Sequence, residues 1–156
     1  MKTLVVGDLH LKQQFVLPRI DGMLAGEAEI GRVVFLGDAC DDWGANEADE
    51  LNAMEFYAKW VREHRGRDMR IDVLLGNHDF CYVRGKRGPG SIMSIMRNLR
   101  TILEDALQAK VACAVGPYLC SHAGVTGVWA KRFLDDAPAA AAGIAQRLNA
   151  MIADSS

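Results

Sequence analysis

Three short apolar runs, each closed by a glycine, set the first half of the chain: Lys2–Gly7, Arg32–Gly37 (RVVFLG) and Ile71–Gly76 (IDVLLG). Each is rich in aliphatic and β-branched residues and stops at a polar cluster, which predicts buried strands. Between and after them the spacing of apolar residues turns helical. Leu17–Ile30 predicts a helix interrupted by glycines. In Ala45–Arg65, residues Leu51, Met54, Phe56, Tyr57, Trp60 and Val61 gather on one side. A further stripe of Ile92, Ile95, Met96, Leu99, Ile102, Leu103 and Leu107 predicts a helix over Ile92–Gln108. Val111–Val115 and Tyr118–Ser121 then read as two strands joined at Gly116-Pro117. Gly127–Leu134 and Ala139–Ala153 predict closing helices, the second just after Pro138, so the alanine-rich patch Ala137–Ala145 is a helix start.

Strands alternating with helices predict an α/β fold with mainly parallel pairing in the first half. Right-handed crossovers place the carboxyl ends of successive strands along one edge, where open α/β sheets put their ligands. The residues at those ends are Asp8 and His10, then Asp38 and Asp41, then Asn77, His78 and Asp79, and finally His122.

Composition narrows the picture. With 156 residues the chain predicts a single domain, 1–156, with a sizeable core. A net charge of −2 without long runs of one sign gives no extended nucleic-acid surface and no attraction to a membrane, though local cations or metals can still hold an anion. The first apolar run is broken by Asp8 and His10 too early for a signal peptide, and no stretch approaches a membrane span. Cys40, Cys81, Cys113 and Cys120 form no close pairs, which predicts free thiols and a cytoplasmic protein.

The strand-end residues offer carboxylate oxygen, imidazole nitrogen and amide oxygen, a mixture accepted by Mn²⁺, Fe²⁺ or Zn²⁺. In Asp8-Leu9-His10 the two-residue spacing directs both side chains the same way if the segment is extended. Gly76-Asn77-His78-Asp79 is the most specific element, since a given tetrapeptide arises by chance in roughly one such chain per thousand. Three of the four histidines fall within the constellation. The fourth, His64, sits near the basic end of a helix, where a solvent-facing or dipole-stabilised imidazole is expected. Trp60 reads as core, whereas Trp43, beside Asp41, is the one tryptophan expected to meet substrate.

On the motifs Gly7-Asp8-Leu9-His10, Gly37-Asp38-Ala39-Cys40-Asp41, Gly76-Asn77-His78-Asp79 and Ser121-His122-Ala123-Gly124, the sequence resembles the calcineurin-like metallophosphoesterases. The His-Ala-Gly form is similar to the serine/threonine-phosphatase-like branch, with its small phage and bacterial members. The resemblance implies two sheets in a sandwich flanked by helices, with a dinuclear metal site between them. By position, Asp8, His10 and Asp38 would hold one cation, and Asp38, Asn77 and His122 a second, with Mn²⁺ ahead of Fe²⁺ or Zn²⁺. The paired cations would activate a water for attack on phosphorus. His78 would act as general acid, oriented by Asp79 or Asp41.

Two features depart from the family pattern. The arginine-glycine pair that usually follows Gly-Asp-x-x-Asp is replaced by Asp42-Trp43-Gly44, which makes Arg84, Lys86 and Arg87 the substitute candidates for phosphate binding. No histidine follows His122, and the chain stops at Ser156 where the family continues into further strands. The expectation is therefore a C-terminally short chain with an incomplete second sheet and a weak second metal site. The chain would be a piece of a longer enzyme, a natural short form, or a homo-oligomer whose neighbour completes the site. A phosphorylated small molecule, a nucleotide or a phosphoprotein all remain compatible as substrate, and a catalytically degenerate metal- or phosphate-binding module is the alternative.

Overall fold

The computed structural model describes residues 1–67, 69–135 and 140–153. Strands β1 (Lys2–Val6), β2 (Ile30–Phe35) and β3 (Arg70–Val73) form a parallel sheet in the order β1-β2-β3. Helix α1 (Gln13–Gly26) connects the first pair and α2 (Glu47–Arg65) the second. A short helix α3 (Asn77–Val83) follows β3, and a helical segment centred on α4 (Met96–Thr101) leads to the antiparallel hairpin β4 (Ala112–Val115) and β5 (Tyr118–Ser121). Helices α5 (Gly127–Phe133) and α6 (Ala141–Ala153) close the described chain. The expected start of the last helix at Pro138 and Ala139 lies outside the described residues.

Alternation along the strands sorts the two faces of the parallel sheet. Val33, Phe35, Ile71 and Val73 face the helices, in one core with Leu17, Ile20, Met54, Tyr57, Trp60 and Val61. On the other face Val34 and Leu74 pack against Cys113 of the hairpin, with Leu36, Val115 and Cys120 around them. This is the expected two-sheet, helix-flanked arrangement, with two strands in the second sheet among the described residues. A polar tie runs through it: Arg32 donates to Asp72 (2.8 Å) and to the Ala114 carbonyl (2.7 Å), and Lys110 pairs with the same Asp72. Burial works to raise the Asp72 pKa, but the hydrogen bonds and charges of Lys110 and Arg32 outweigh it and hold the carboxyl below its ordinary value. Asn149 of α6 accepts from the Val111 and Ala112 amides and donates to the Ala112 carbonyl, which covers the start of β4 where a further strand could pair.

Several boundaries differ from the sequence expectation for physical reasons. Helix α1 begins at Gln13 rather than Leu17, because the buried Gln13 amide donates to the Ala39 carbonyl (2.9 Å), an anchor invisible to hydrophobic periodicity. It ends at Gly26, and Ile30 joins β2 instead. The helix expected over Ile92–Gln108 changes pitch: a tight turn Met93–Ile95, then α4, then a widened segment Ile102–Ala106. Its buried residues Ile95, Leu99, Leu103 and Leu107 recur every four positions. An α-helix drifts about 40° over that interval, and the wider turn restores one face. Helix α3 has no counterpart in the apolar pattern, being short and opening on three polar residues. His64 is not solvent-facing: it stacks on Trp60 (3.8 Å between centroids) and meets Asp21 (3.0 Å), tying α2 to α1. Among the described residues no helix is long and apolar enough to cross a membrane.

Candidate metal and phosphoester site

Four loops leave the carboxyl ends of β1, β2, β3 and β5, and contacts between them bring the candidate residues together. After β1 the chain makes a tight turn, with His10 and Leu11 both in the left-handed region (φ 39° and 58°). The convergence of Asp8 and His10 thus comes from this turn, not from extended backbone as the spacing suggested. It is fixed by Leu9 and His10 amides donating to the Asp38 carbonyl (3.0 and 2.9 Å) and by the buried Leu9 side chain. The loops after β2 and β3 approach through two glycines. A side chain on Gly37 would overlap Gly76, and one on Gly76 would overlap Asp38. That approach lets the His78 amide, on the first turn of α3, donate to Asp38 Oδ1 (3.0 Å).

Among the described residues Asp8, His10 and Asp38 offer ligand atoms that all lie within 4.8 Å of one another. Asp38 Oδ2 stands between two imidazoles, 3.8 Å from His10 Nε2 and 3.3 Å from His122 Nε2. His122 Nε2 is in turn 3.2 Å from Asn77 Oδ1, and its Nδ1 is 3.9 Å from Asp8 Oδ1. The five residues Asp8, His10, Asp38, Asn77 and His122 form one network of contacts, with Asp38 and His122 linking the others.

The donor chemistry fits a divalent cation. His10 Nδ1 donates to the Asp41 carbonyl (2.8 Å), with the Cys40 carbonyl at 3.3 Å, and His122 Nδ1 donates to the Leu36 carbonyl (3.2 Å). Backbone carbonyls accept only, so each ring keeps its Nε2 lone pair turned toward Asp38, the tautomer a ligating histidine needs. Burial lowers the His10 pKa, yet the Asp41 carbonyl and the Asp38 charge outweigh it and leave it raised, so a proton competes with any cation there. Burial also pushes the Cys40 thiol well above its usual range, which makes it a neutral apolar filler and not a thiolate ligand.

Next to these residues His78 is held by its ring. Its Nδ1 lies 2.9 Å from Asp41 Oδ2, leaving Nε2 unengaged by that bond, and it meets His10 edge-on (5.1 Å between centroids). Asp41 itself has φ 64° and is 3 % exposed; its Oδ1 accepts from Tyr82 (2.5 Å) and its amide donates to Glu50. Of the two carboxylates offered as partners for His78, only Asp41 faces the ring. Asp79 is fully buried and accepts from the Ala39, Cys40 and Gly76 amides, each at 2.9 Å. It clamps the β2 loop to the start of α3, a positioning role.

Lys86 and Arg87 are exposed, and with Arg84 they belong to a loop that brings Pro89 and Gly90, not its cations, into the groove beside His10 and His78. A second cavity of about 660 Å³, mostly apolar, adjoins Asn77 and His122 and is lined also by Phe80, Trp129 and Leu148. Sequence reading missed Glu50 and Tyr82, the residues that hold Asp41. Glu50 left a trace: it falls on the same helical face as Met54, Tyr57 and Val61, where a charge is out of place. Tyr82 left none.

A family model described as calcineurin-like phosphoesterase matches residues 1–149. No curated protein and no solved structure matches the chain.

Proposed function

This chain belongs to the calcineurin-like phosphoesterase family, and from that premise we propose that it is a metal-dependent phosphoesterase, hydrolysing phosphate monoesters ahead of diesters. The observation that carries the reading is the His78–Asp41–Tyr82 relay set beside the Asp8, His10, Asp38, Asn77 and His122 ligands. A module that only bound metal would have no use for a positioned imidazole whose Nε2 is left to act.

Asp8, His10 and Asp38 would hold one divalent cation and Asp38, Asn77 and His122 a second, with Mn²⁺ the first ion to try. Cations held there would draw charge from the phosphoryl oxygens and lower the pKa of the attacking water, worth several kcal/mol at the transition state. The protein's own groups do the rest. His78 Nε2 delivers a proton to the departing alkoxide oxygen. Asp41 accepts from Nδ1 and so orients the ring with Nε2 toward the leaving oxygen. Tyr82 and Glu50 keep Asp41 in place. Arg84, Lys86 and Arg87 remain the basic residues nearest in sequence to the site that could meet the phosphate. The resemblance to small phage and bacterial phosphatases and four free cysteines support a cytoplasmic enzyme.

A second reading, a catalytically degenerate metal- or phosphate-binding module, is favoured by one observation: His64 packs elsewhere and His78 faces Asp41, so among the described residues no further histidine joins Asn77 and His122. The two readings separate on hydrolysis of an aryl phosphate by Mn²⁺-reconstituted protein, compared with His78→Ala and Asp38→Asn, with bound metal counted by elemental analysis. Activity in the parent, lost in His78→Ala while metal stays, is the expected result. An inert parent that retains its metal would decide for the binding module.

A further inference from the structure

His78 marks the side of the site from which the leaving group departs, since a general acid must lie within hydrogen-bond reach of the oxygen it protonates. On that side lies a groove of about 320 Å³ lined by His10, Asp41, Trp43, His78, Pro89 and Gly90, among others. Its volume is at the lower end of the range usual for small-molecule sites, about 300–1,000 Å³. The feature that needs explaining is Trp43, whose side chain is exposed (91 %) although the chain around it is firmly held. Asp42 pairs with Lys12 and accepts from the Trp43 amide (3.0 Å), and the Ala45 amide closes a turn onto the Asp42 carbonyl (3.2 Å). Asn46 then caps α2, accepting from the Ala48 and Asp49 amides. The indole is therefore presented to solvent by an anchored turn.

Charge limits what can occupy the groove. Among the described residues no lysine or arginine lines it, while Asp41 and Asp42 do, with Asp41 engaged by His78 and Tyr82. Asp42 is likewise engaged, by Lys12, so a leaving group carrying further phosphates would find no lysine or arginine among the lining residues to pair with.

We propose that this groove receives the alcohol half of the substrate, and that this half is a planar, uncharged aromatic group stacked on Trp43. The inference rests on the phosphoesterase reading and deepens it. Two sources share that chemistry, an aryl alcohol such as a tyrosyl side chain and the base of a nucleoside monophosphate; dinucleotides with a polyphosphate leaving group are disfavoured.

The test compares 2-naphthyl phosphate, adenosine 5′-monophosphate and glycerol 2-phosphate on the Mn²⁺-loaded parent, Trp43→Ala, Trp43→Phe and Trp129→Ala. Stacking on an aromatic side chain is typically worth roughly 5- to 150-fold on alanine substitution. For a groove open to water, Trp43→Ala is expected to lower kcat/KM for the preferred aromatic substrate roughly tenfold, mainly through KM, with most of the loss restored in Trp43→Phe. The loss on glycerol 2-phosphate is expected to be several-fold smaller. A loss confined to the naphthyl ester or to the nucleotide supports the proposal and identifies the source. Equal losses on all three substrates, no loss on either aromatic one, or a preference that follows Trp129 instead would overturn it. Should nothing be hydrolysed, the phosphoesterase reading fails separately. Titration of the same proteins with 4-nitrobenzylphosphonate and methylphosphonate, neither of which can turn over, then still decides whether Trp43 holds the ring.

Discussion

Asp41 divides one carboxylate between an imidazole and a phenol, and the division defines its role, since Tyr82 fixes Oδ1 so that Oδ2 meets His78. In Asp41→Asn the amide can still accept from Tyr82, but an N–H would face His78 Nδ1 and the ring would have no counter-charge when it carries the catalytic proton. A neutral imidazole is a far weaker acid, so kcat is expected to fall by about 10²–10³. The loss should be larger on phenyl phosphate than on 4-nitrophenyl phosphate, whose leaving oxygen needs less help; equal losses on the two esters would sink the general-acid assignment. Asp79→Ala should behave differently. It strands three buried amides, which at about 1–3 kcal/mol each lowers unfolding free energy by several kcal/mol in a urea titration, whereas His78→Ala costs little stability. The residue types proposed to bind metal and move protons could be named from the chain, since Asp, His and Asn at strand ends are chemically distinctive, and the structure gathers them in one place. Which carboxylate served the imidazole could not be, because adjacent residues on a short unexpected helix point about 100° apart, so Asp79 turns to the β2 loop amides while His78 meets Asp41.

At the scale of elements, α2 shows how a helix specified by periodicity also carries part of the site. Its apolar face was legible through Met54, Tyr57, Trp60 and Val61, and its start is secured by a capping box between Asn46 and Asp49. Glu50 breaks that face in order to accept the Asp41 amide, and burial pushes its pKa up from 4.5 to about 7, with the charges of Asp41 and Asp79 acting in the same direction and the Asp41 hydrogen bond against it. The folded protein therefore binds a proton that the unfolded chain releases between about pH 4.5 and 7. Stability from this group is full below that window and is lost as pH rises through it. In chelated protein, Glu50→Gln keeps an acceptor for Asp41 but removes the titration. The variant is expected to gain on the parent by roughly 2–3 kcal/mol between about pH 5 and about pH 8. A pH-independent difference in urea midpoints would mean that Glu50 stays ionised in its pocket. The π-like turn after α4 was not legible for the opposite reason: a four-residue repeat fits an ordinary helix over two turns and demands a wider one only over four.

Across the whole molecule the α/β alternation and strand-end placement of the site followed from order along the chain alone, while the closeness of the four loops did not. Their approach depends on long-range contacts, Gly37 against Gly76 and the β1 turn against the Asp38 carbonyl, that no local pattern encodes. Because Asp8, His10, Asp38, Asn77 and His122 come from the ends of β1, β2, β3 and β5, a cation held among them cross-links both sheets. Binding to the folded chain alone stabilises it by mass action, about 2.7 kcal/mol at a hundredfold excess over Kd. The two halves of the site should differ. Asp8, His10 and Asp38 give two carboxylates and an imidazole, whereas beyond the shared Asp38 the other half has one neutral amide and one imidazole. Mn²⁺ titration followed by calorimetry is therefore expected to show one tight event and one distinctly weaker, and the melting temperature should climb mainly with the first. His122→Ala should remove the weak event and spare most of the thermal gain, while Asp38→Asn, which alters the residue both halves share, should weaken both. Two equally tight ions in the parent would mean that ligands outside this set complete the second half, and a thermal gain that survives Asp38→Asn would place the cation elsewhere in the fold.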